Sequence, residues 1–204
     1  MEMIQAHESN YTKGRQRAIR YIVIHYTGNI NDTARANCKY FSGPGRNASA
    51  HYFVDSEGVI QSVSDLDVAW HCGASKYIHT ICRNSNSIGI EMCTQWRDGK
   101  YDIDGKTVEN TVKLVRELME KYQIPEENIL RHYDVTGKYC PEPWVRELGK
   151  WEQFKRRLSG MEEMTLEEAK GAVKEKYNFD ENTMLYLEMY RYGEALIRRL
   201  AEGR

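Results

Sequence analysis

The chain has 204 residues, 41% hydrophobic and 29% charged, with 15 Gly and 4 Pro, which excludes collagen-like and mainly disordered proteins and predicts one main core with an appendage. Twenty-nine basic against 30 acidic residues leave a net charge of -1, too little field for gripping a phosphate backbone or an anionic bilayer, so nucleic acid is not the expected partner. There is no run of about 18 apolar residues, and the polar N-terminus MEMIQAHESNYTKGRQRAIR lacks the apolar segment of a secretion signal, so membrane insertion is not expected and the expected place of synthesis is the cytoplasm. Five cysteines in a chain of this size read as reduced core thiols or a metal ligand rather than a secreted disulfide framework.

In chain order, RYIVIHYT (20–27) is rich in β-branched and aromatic residues and predicts a buried strand with a histidine near its end. After Gly28, the candidate caps Asn31 and Asp32 precede Ala34, Cys38 and Phe41, an amphipathic helix running to the SGPG turn. SAHYFVDSEGVIQSV reads as a hairpin turning at Ser56-Glu57-Gly58. DVAWHCG and SIGIEMC supply two more strand candidates around the polar loop 74–86. From Val108 the positions Val112, Val115, Met119 and Tyr122 recur at helical spacing until Pro125 closes the run. NILRHYDVTGKYCPEPW is a turn-rich loop, and a helix over about 145–158 completes the module.

Ser159-Gly160 reads as a junction. Beyond it, Thr165 and Glu168 form a capping-box pattern, and Leu185, Met189, Tyr192, Leu196 and Leu200 are expected on one helical face. Tyr177, Phe179, Tyr186, Tyr190 and Tyr192 are read as core rather than as a sugar-stacking surface. Residues 161–204 hold 10 acids and 7 bases, net -3, against net +2 for residues 1–160. The expected organisation is therefore an α/β domain over residues 1–158, a central mixed sheet flanked by helices, and a small all-helical module over 161–204.

Three potential metal ligands stand at element ends: His25, closing a strand, and His132 and Cys140, which flank seven residues of loop. Two imidazoles and a thiolate leave a fourth tetrahedral position open, as catalytic zinc sites require. Spacing alone leaves other readings in place: His25 as a half-buried histidine paired to backbone, and Cys140 as a small buried hydrophobe. Glu91 is a carboxylate in an otherwise apolar strand, which demands a partner or a function.

The blocks IVIHYTG, SAHYFVDSEGVI, AWHCG, NSIGIEM and RHYDVTGKYCPEPW, in this order, resemble the zinc-dependent N-acetylmuramoyl-L-alanine amidases of the bacteriophage-lysozyme and peptidoglycan-recognition-protein superfamily. The likeness spans most of residues 20–158, is nearest to phage or prophage endolysins and cell-wall amidases of Gram-positive bacteria, and leaves the tail outside. It implies Zn2+ held by His25, His132 and Cys140, hydrolysis of the amide between N-acetylmuramic acid and L-alanine of the stem peptide, Lys138 as the cation that stabilises the developing oxyanion, and Glu91 as base. A branch of the superfamily has a catalytic tyrosine where this chain has Ala50. Tyr52, two residues on, is the nearest candidate for that role, and Glu91 is preferred. His71, Arg83 and Asn86 are expected to line a groove for bacterial peptidoglycan, His51 to pack on the sheet, and His7 and His79 to be solvated. Cys38, Cys72, Cys82 and Cys93 are expected to be reduced thiols. The tail is a candidate for wall binding or a homodimer contact, and the setting implied is a host cytoplasm from which the protein is released to the wall. Two alternatives stand beside this reading: a non-catalytic peptidoglycan-binding module, and a cysteine hydrolase in which Cys140 attacks with His132 as base.

Overall fold

In the computed structural model, residues 1–160 and 166–203 are described, and they divide into two compact units, residues 1–159 and 160–204. The first unit is built on β3 (Tyr21–Tyr26) and β7 (Ser87–Met92), whose β-branched runs suit the buried middle of a sheet. These two strands pair in parallel, and the sheet extends outward through β4 (Tyr52–Val54), β5 (Val59–Gln61) and β1 (Glu2–Met3) on one side and β10 (Ile129–Arg131) on the other. The order is β1-β5-β4-β7-β3-β10, and within this sheet β4–β5 is the antiparallel pair, so it is the expected mixed sheet.

Strand alternation gives the two faces different chemistry. Ile22, Ile24, Ile88, Ile90 and Met92 point to one face and pack against the stripe of α2 (Gly105–Tyr122) and against Trp144, Trp151 and Phe154. The opposite face carries Tyr21, Val23 and His25 from β3 and Ser87, Gly89 and Glu91 from β7, so polar and ionisable side chains collect there. The helix α1 (Ala34–Phe41) covers the β4–β5 end of the sheet with Ala34 and Cys38.

Several local expectations are corrected. The N-cap of α1 is Thr33, whose hydroxyl accepts from the Ala36 amide at 3.1 Å. Asn31 has a left-handed φ of 52°, and Asp32 is engaged instead by the Thr94 amide at 2.9 Å. DVAWHCG adds only β6 (Val68–Ala69), which pairs with β2 (Tyr11–Thr12) outside the main sheet. A hairpin not anticipated joins β8 (Gln95–Arg97) to β9 (Lys100–Asp102) through Asp98 and Gly99, both at positive φ, the geometry of a two-residue turn that matches strand twist. The helix α2 starts at Gly105 because Asp104 caps it. The turn-rich loop opens with a short helix, α3 (His132–Thr136), and the helix expected over 145–158 breaks at Glu147 into α4 (Glu142–Arg146) and α5 (Leu148–Leu158).

The second unit holds α6 (Leu166–Tyr177), α7 (Glu181–Met189) and α8 (Gly193–Glu202) around Ala169, Val173, Met184 and Ile197. Thr165, the expected capping residue, lies outside the described residues. The proposed single apolar face does not form, because the chain turns between α7 and α8, separating Leu185 and Met189 from Leu196 and Leu200. Tyr186, Met189, Tyr190 and Tyr192 are exposed, Tyr186 at 78%, and are not the core residues that spacing suggested. Among the described residues no helix is long and apolar enough to cross a membrane.

Asp65 is the main buried acidic tie of the first unit: it accepts from the hydroxyls of Tyr52 at 2.7 Å and Tyr122 at 2.6 Å and from the Lys121 ammonium at 3.0 Å, joining β4 to the C-terminal end of α2. Asp65→Ala strands two phenols and removes a charge-assisted bond, so unfolding in urea should show a loss on the order of 3 kcal/mol.

Candidate metal and catalytic site

The sheet register brings the site together. In β3 and β7, His25 is level with Glu91, and in β3 and β10, Arg131 is level with Ile24, so the next residue, His132, leaves its strand beside His25. Three neighbouring parallel strands thus deliver Glu91, His25 and His132 at their C-terminal ends, the edge of open α/β sheets where ligands bind. Cys140 returns to them by a closed loop: Gly137, at φ 82°, ends α3 with its amide on the Tyr133 carbonyl at 2.8 Å, and the Tyr133 amide donates to the Cys140 carbonyl at 2.9 Å. The seven residues between His132 and Cys140 are one helical turn and one reversal.

One potential ligand atom from each of His25, His132 and Cys140 lies within 4.8 Å of the others, and all three residues are buried. Cys140 Sγ is 3.8 Å from His25 Nδ1, and Glu91 Oε1 is 4.0 Å from the same nitrogen. The two imidazoles meet edge to face with centroids 4.6 Å apart. His132 Nδ1 and Glu91 Oε2 are buried without a hydrogen-bond partner, an arrangement that is costly for polar atoms unless something satisfies them.

The electrostatics match a cation site. Burial, then the nearby His132, hold His25 well below the usual histidine range, and burial followed by Lys138 lowers His132 to about 4, so both rings are neutral and able to offer lone pairs. Burial, then the charge of Glu91, push the Cys140 thiol up to about 12. A thiol held protonated is a poor nucleophile, which weighs against the Cys140–His132 hydrolase alternative, whereas a divalent cation reverses this balance by binding the thiolate. Burial pushes Glu91 up to about 8 against the opposing pull of Lys138. Two neutral imidazoles, one thiol and two orphaned polar atoms fit a single divalent metal with N and S ligands.

The other expected site residues are placed differently. Lys138 is exposed on the loop between the two late ligands, and its charge is felt by His25, His132, Glu91 and Cys140. His71, expected to line the groove, is turned inward at 9% exposure and sits behind His25. Arg83 spends its guanidinium on the His79 and Cys82 carbonyls and on the face of Tyr77, and Asn86 is buried with its amide on Arg83 and Ile81, so both brace their own loop. Tyr52 belongs to the opposite face of the sheet with its hydroxyl on Asp65, which takes it out of contention as a base. His51 is buried on the sheet as expected, accepting from the Gly89 amide at 3.0 Å. His7 and His79 are not simply solvated: each accepts from nearby main-chain amides. Cys38, Cys72, Cys82 and Cys93 are free and buried.

Arg15, which the sequence did not single out, donates to the carbonyls of Asp65, Asp67, Asn84, Ser85 and Ser87 and ties together the segments beneath the site. Its only sequence signal was a basic residue in a loop.

Comparison with known proteins gives the class. The N-acetylmuramoyl-L-alanine amidase family profile matches residues 15–143, and this chain belongs to that family. A probable N-acetylmuramoyl-L-alanine amidase of Bacillus licheniformis is 36% identical over 152 residues, 71% of this chain and 42% of that protein. The N-acetylmuramoyl-L-alanine amidase BlyA of Bacillus subtilis is 36% identical over 155 residues, 70% of this chain and 41% of its own length. Among solved structures, PlyL superposes with a TM-score of 0.64 at 29% identity, covering 78% of this chain and 96% of that one, and the catalytic domain of XlyA with 0.63 at 27%, covering 78% and 99%. The chain thus spans about two fifths of the length of the curated relatives it matches.

Cys140→Ser replaces the thiolate by a hydroxyl that stays protonated at neutral pH. The variant should keep its circular dichroism spectrum and lose bound divalent metal, measured by elemental analysis after equilibration and desalting.

Proposed function

We propose that the first unit is a zinc-dependent peptidoglycan amidase that hydrolyses the bond between N-acetylmuramic acid and the L-alanine of the stem peptide. The observation that carries this is the convergence of His25, His132 and Cys140 with a carboxylate, Glu91, 4.0 Å from the Nδ1 edge of His25. Family membership and the superposition on PlyL and the XlyA catalytic domain support it.

Zinc held by the three side chains would supply a Lewis-acidic charge that polarises the amide carbonyl and makes water a stronger acid. Glu91 does the proton work. Its free oxygen, Oε2, would accept the proton of the attacking water, and its carboxyl would then return that proton to the leaving nitrogen. Lys138 is exposed on the loop before Cys140 and its charge reaches the site, so its ammonium would compensate the negative charge that grows on the carbonyl oxygen. Burial of the ligand set strengthens these interactions by excluding water.

The second unit is proposed as a wall-binding or oligomerisation module, and the exposed Leu185, Tyr186, Met189, Tyr190 and Tyr192 support a docking role. The setting proposed is that of an endolysin, released from the cytoplasm of the host to the wall.

Digestion of purified Gram-positive walls, followed by mass spectrometry, should release free stem peptides and leave glycan strands intact, and a chelator should stop the release. Walls that are bound but uncut would support the binding-module alternative. Glu91→Ala should keep its metal and lose turnover by about 10²- to 10⁴-fold. Lys138→Ala should lose turnover by about 10²-fold with its metal content unchanged.

A further inference from the structure

Behind His25, on the side away from Cys140, a chain of buried polar groups runs through the protein. His25 Nε2 lies 3.0 Å from His71 Nδ1, His71 Nε2 lies 3.1 Å from Ser87 Oγ, and Ser87 Oγ lies 2.7 Å from the Arg83 carbonyl oxygen. Direction follows from the last link. A carbonyl cannot donate, and two oxygens 2.7 Å apart repel unless a proton lies between them, so the Ser87 hydroxyl donates to Arg83. Ser87 has no second proton, so its oxygen accepts from His71 Nε2–H. A neutral imidazole carries one N–H, which leaves a lone pair on His71 Nδ1, and that lone pair accepts from His25 Nε2–H. His25 in turn carries its lone pair on Nδ1, the atom facing Cys140 and Glu91.

We infer that His71 is a positioning residue: through a hydrogen-bond chain anchored on the Arg83 carbonyl it sets the tautomer and ring plane of His25 before any metal arrives, leaving Nδ1 free to ligate. This rests on the reading of His25 as a metal ligand and adds two residues, Ser87 and Gly89, to which that reading assigns no role. Gly89 sits in the middle of β7 with a backbone any residue could adopt, yet a Cβ there would lie 2.3 Å from His71 Cγ. The glycine is the space in which the His71 ring lies. The far end is equally fixed: Asn84 Oδ1 accepts from the His71 and Cys72 amides at 3.2 and 2.8 Å, and Arg15 holds the Asn84, Ser85 and Ser87 carbonyls. In the reverse direction, His25 would carry its proton on Nδ1 and present a donor to the ligand position. Second-sphere partners of metal-bound histidines commonly govern affinity in this way.

The test uses the full chain stripped of metal. Long-range ¹H–¹⁵N correlation spectra of the imidazoles should show His25 and His71 as Nε2–H tautomers in the metal-free wild type. Competition with a chromogenic chelator should show zinc affinity falling about 10- to 100-fold in His71→Phe, which fills the space without an acceptor, and measurably in Ser87→Ala, which removes only the anchor. His71→Gln, which restores an acceptor, should recover part of the loss. An Nδ1–H tautomer of His25 in the metal-free protein, or zinc affinity unchanged in both His71→Phe and Ser87→Ala, would overturn the inference. The Ser87 variant and the wild-type spectra decide the matter even where His71→Phe does not fold. A wild type that takes up zinc on the expected tautomer and cuts no walls would remove the amidase proposal and leave the relay standing.

Discussion

The arrangement depends on the parallel pairing of β7, β3 and β10. Parallel strands end at the same edge of a sheet, and this register sets Glu91 beside His25 and sends the chain out of β10 at His132. A slip of one residue in either ladder would turn the side chains of one strand to the other face and disperse the set, because the side-chain period is two. The apolar face resists such a slip, since Ile22, Ile24, Ile88, Ile90 and Met92 would have to leave their packing against α2, Trp144 and Phe154. The hydrophobic core on one side of the sheet therefore guards the geometry of the polar cluster on the other.

That polar cluster is unusual in a core. His25, His51, His71, Ser87 and Glu91 are gathered on one face, and burial holds His25 and His51 well below the usual histidine range and raises the Glu91 carboxyl. Most of these groups are satisfied by one another or by main chain. The exceptions, His132 Nδ1 and Glu91 Oε2, lie at the edge where the ligands converge. Two unsatisfied atoms on residues of the candidate site are what a place where stability is given up for chemistry would show, although Ser62 Oγ and Arg156 Nε elsewhere are also without a partner.

The loop from Ala74 to Asn86 belongs to the same logic. Its arginine and asparagine are consumed internally, and the Ile78 and His79 amides are held by the Val135 carbonyl, so the loop is fastened to the segment that carries His132 and Cys140. Rigidity around a site costs nothing at the moment of reaction, whereas a mobile site must be ordered each time. Residues 160–204 form a separate unit whose small core of Ala169, Val173, Met184 and Ile197, with Phe179 packed against it, leaves Tyr177, Tyr186, Tyr190 and Tyr192 exposed.

The sequence by itself determined the element types wherever periodicity was strong: the strands around His25 and Glu91, the hairpin at Ser56–Gly58 and the long helix α2 were legible from local pattern. It also pointed to His25, His132 and Cys140 as candidate ligands, through the order of several motif blocks rather than through any one spacing, and the structure brings the three together. Local pattern could not reveal which strands neighbour one another, because pairing is decided by non-local packing. The same limit hid the direction of Tyr52, the inward turn of His71 and the reason for Gly89. The tail misled for a related reason: helical spacing in Leu185, Met189 and Tyr192 was real, but a turn before α8 broke the face on which they would have aligned. Only the tertiary structure placed His25, His132 and Cys140 within reach of one cation, since residues 115 apart in the chain meet through sheet register and not through any property written locally.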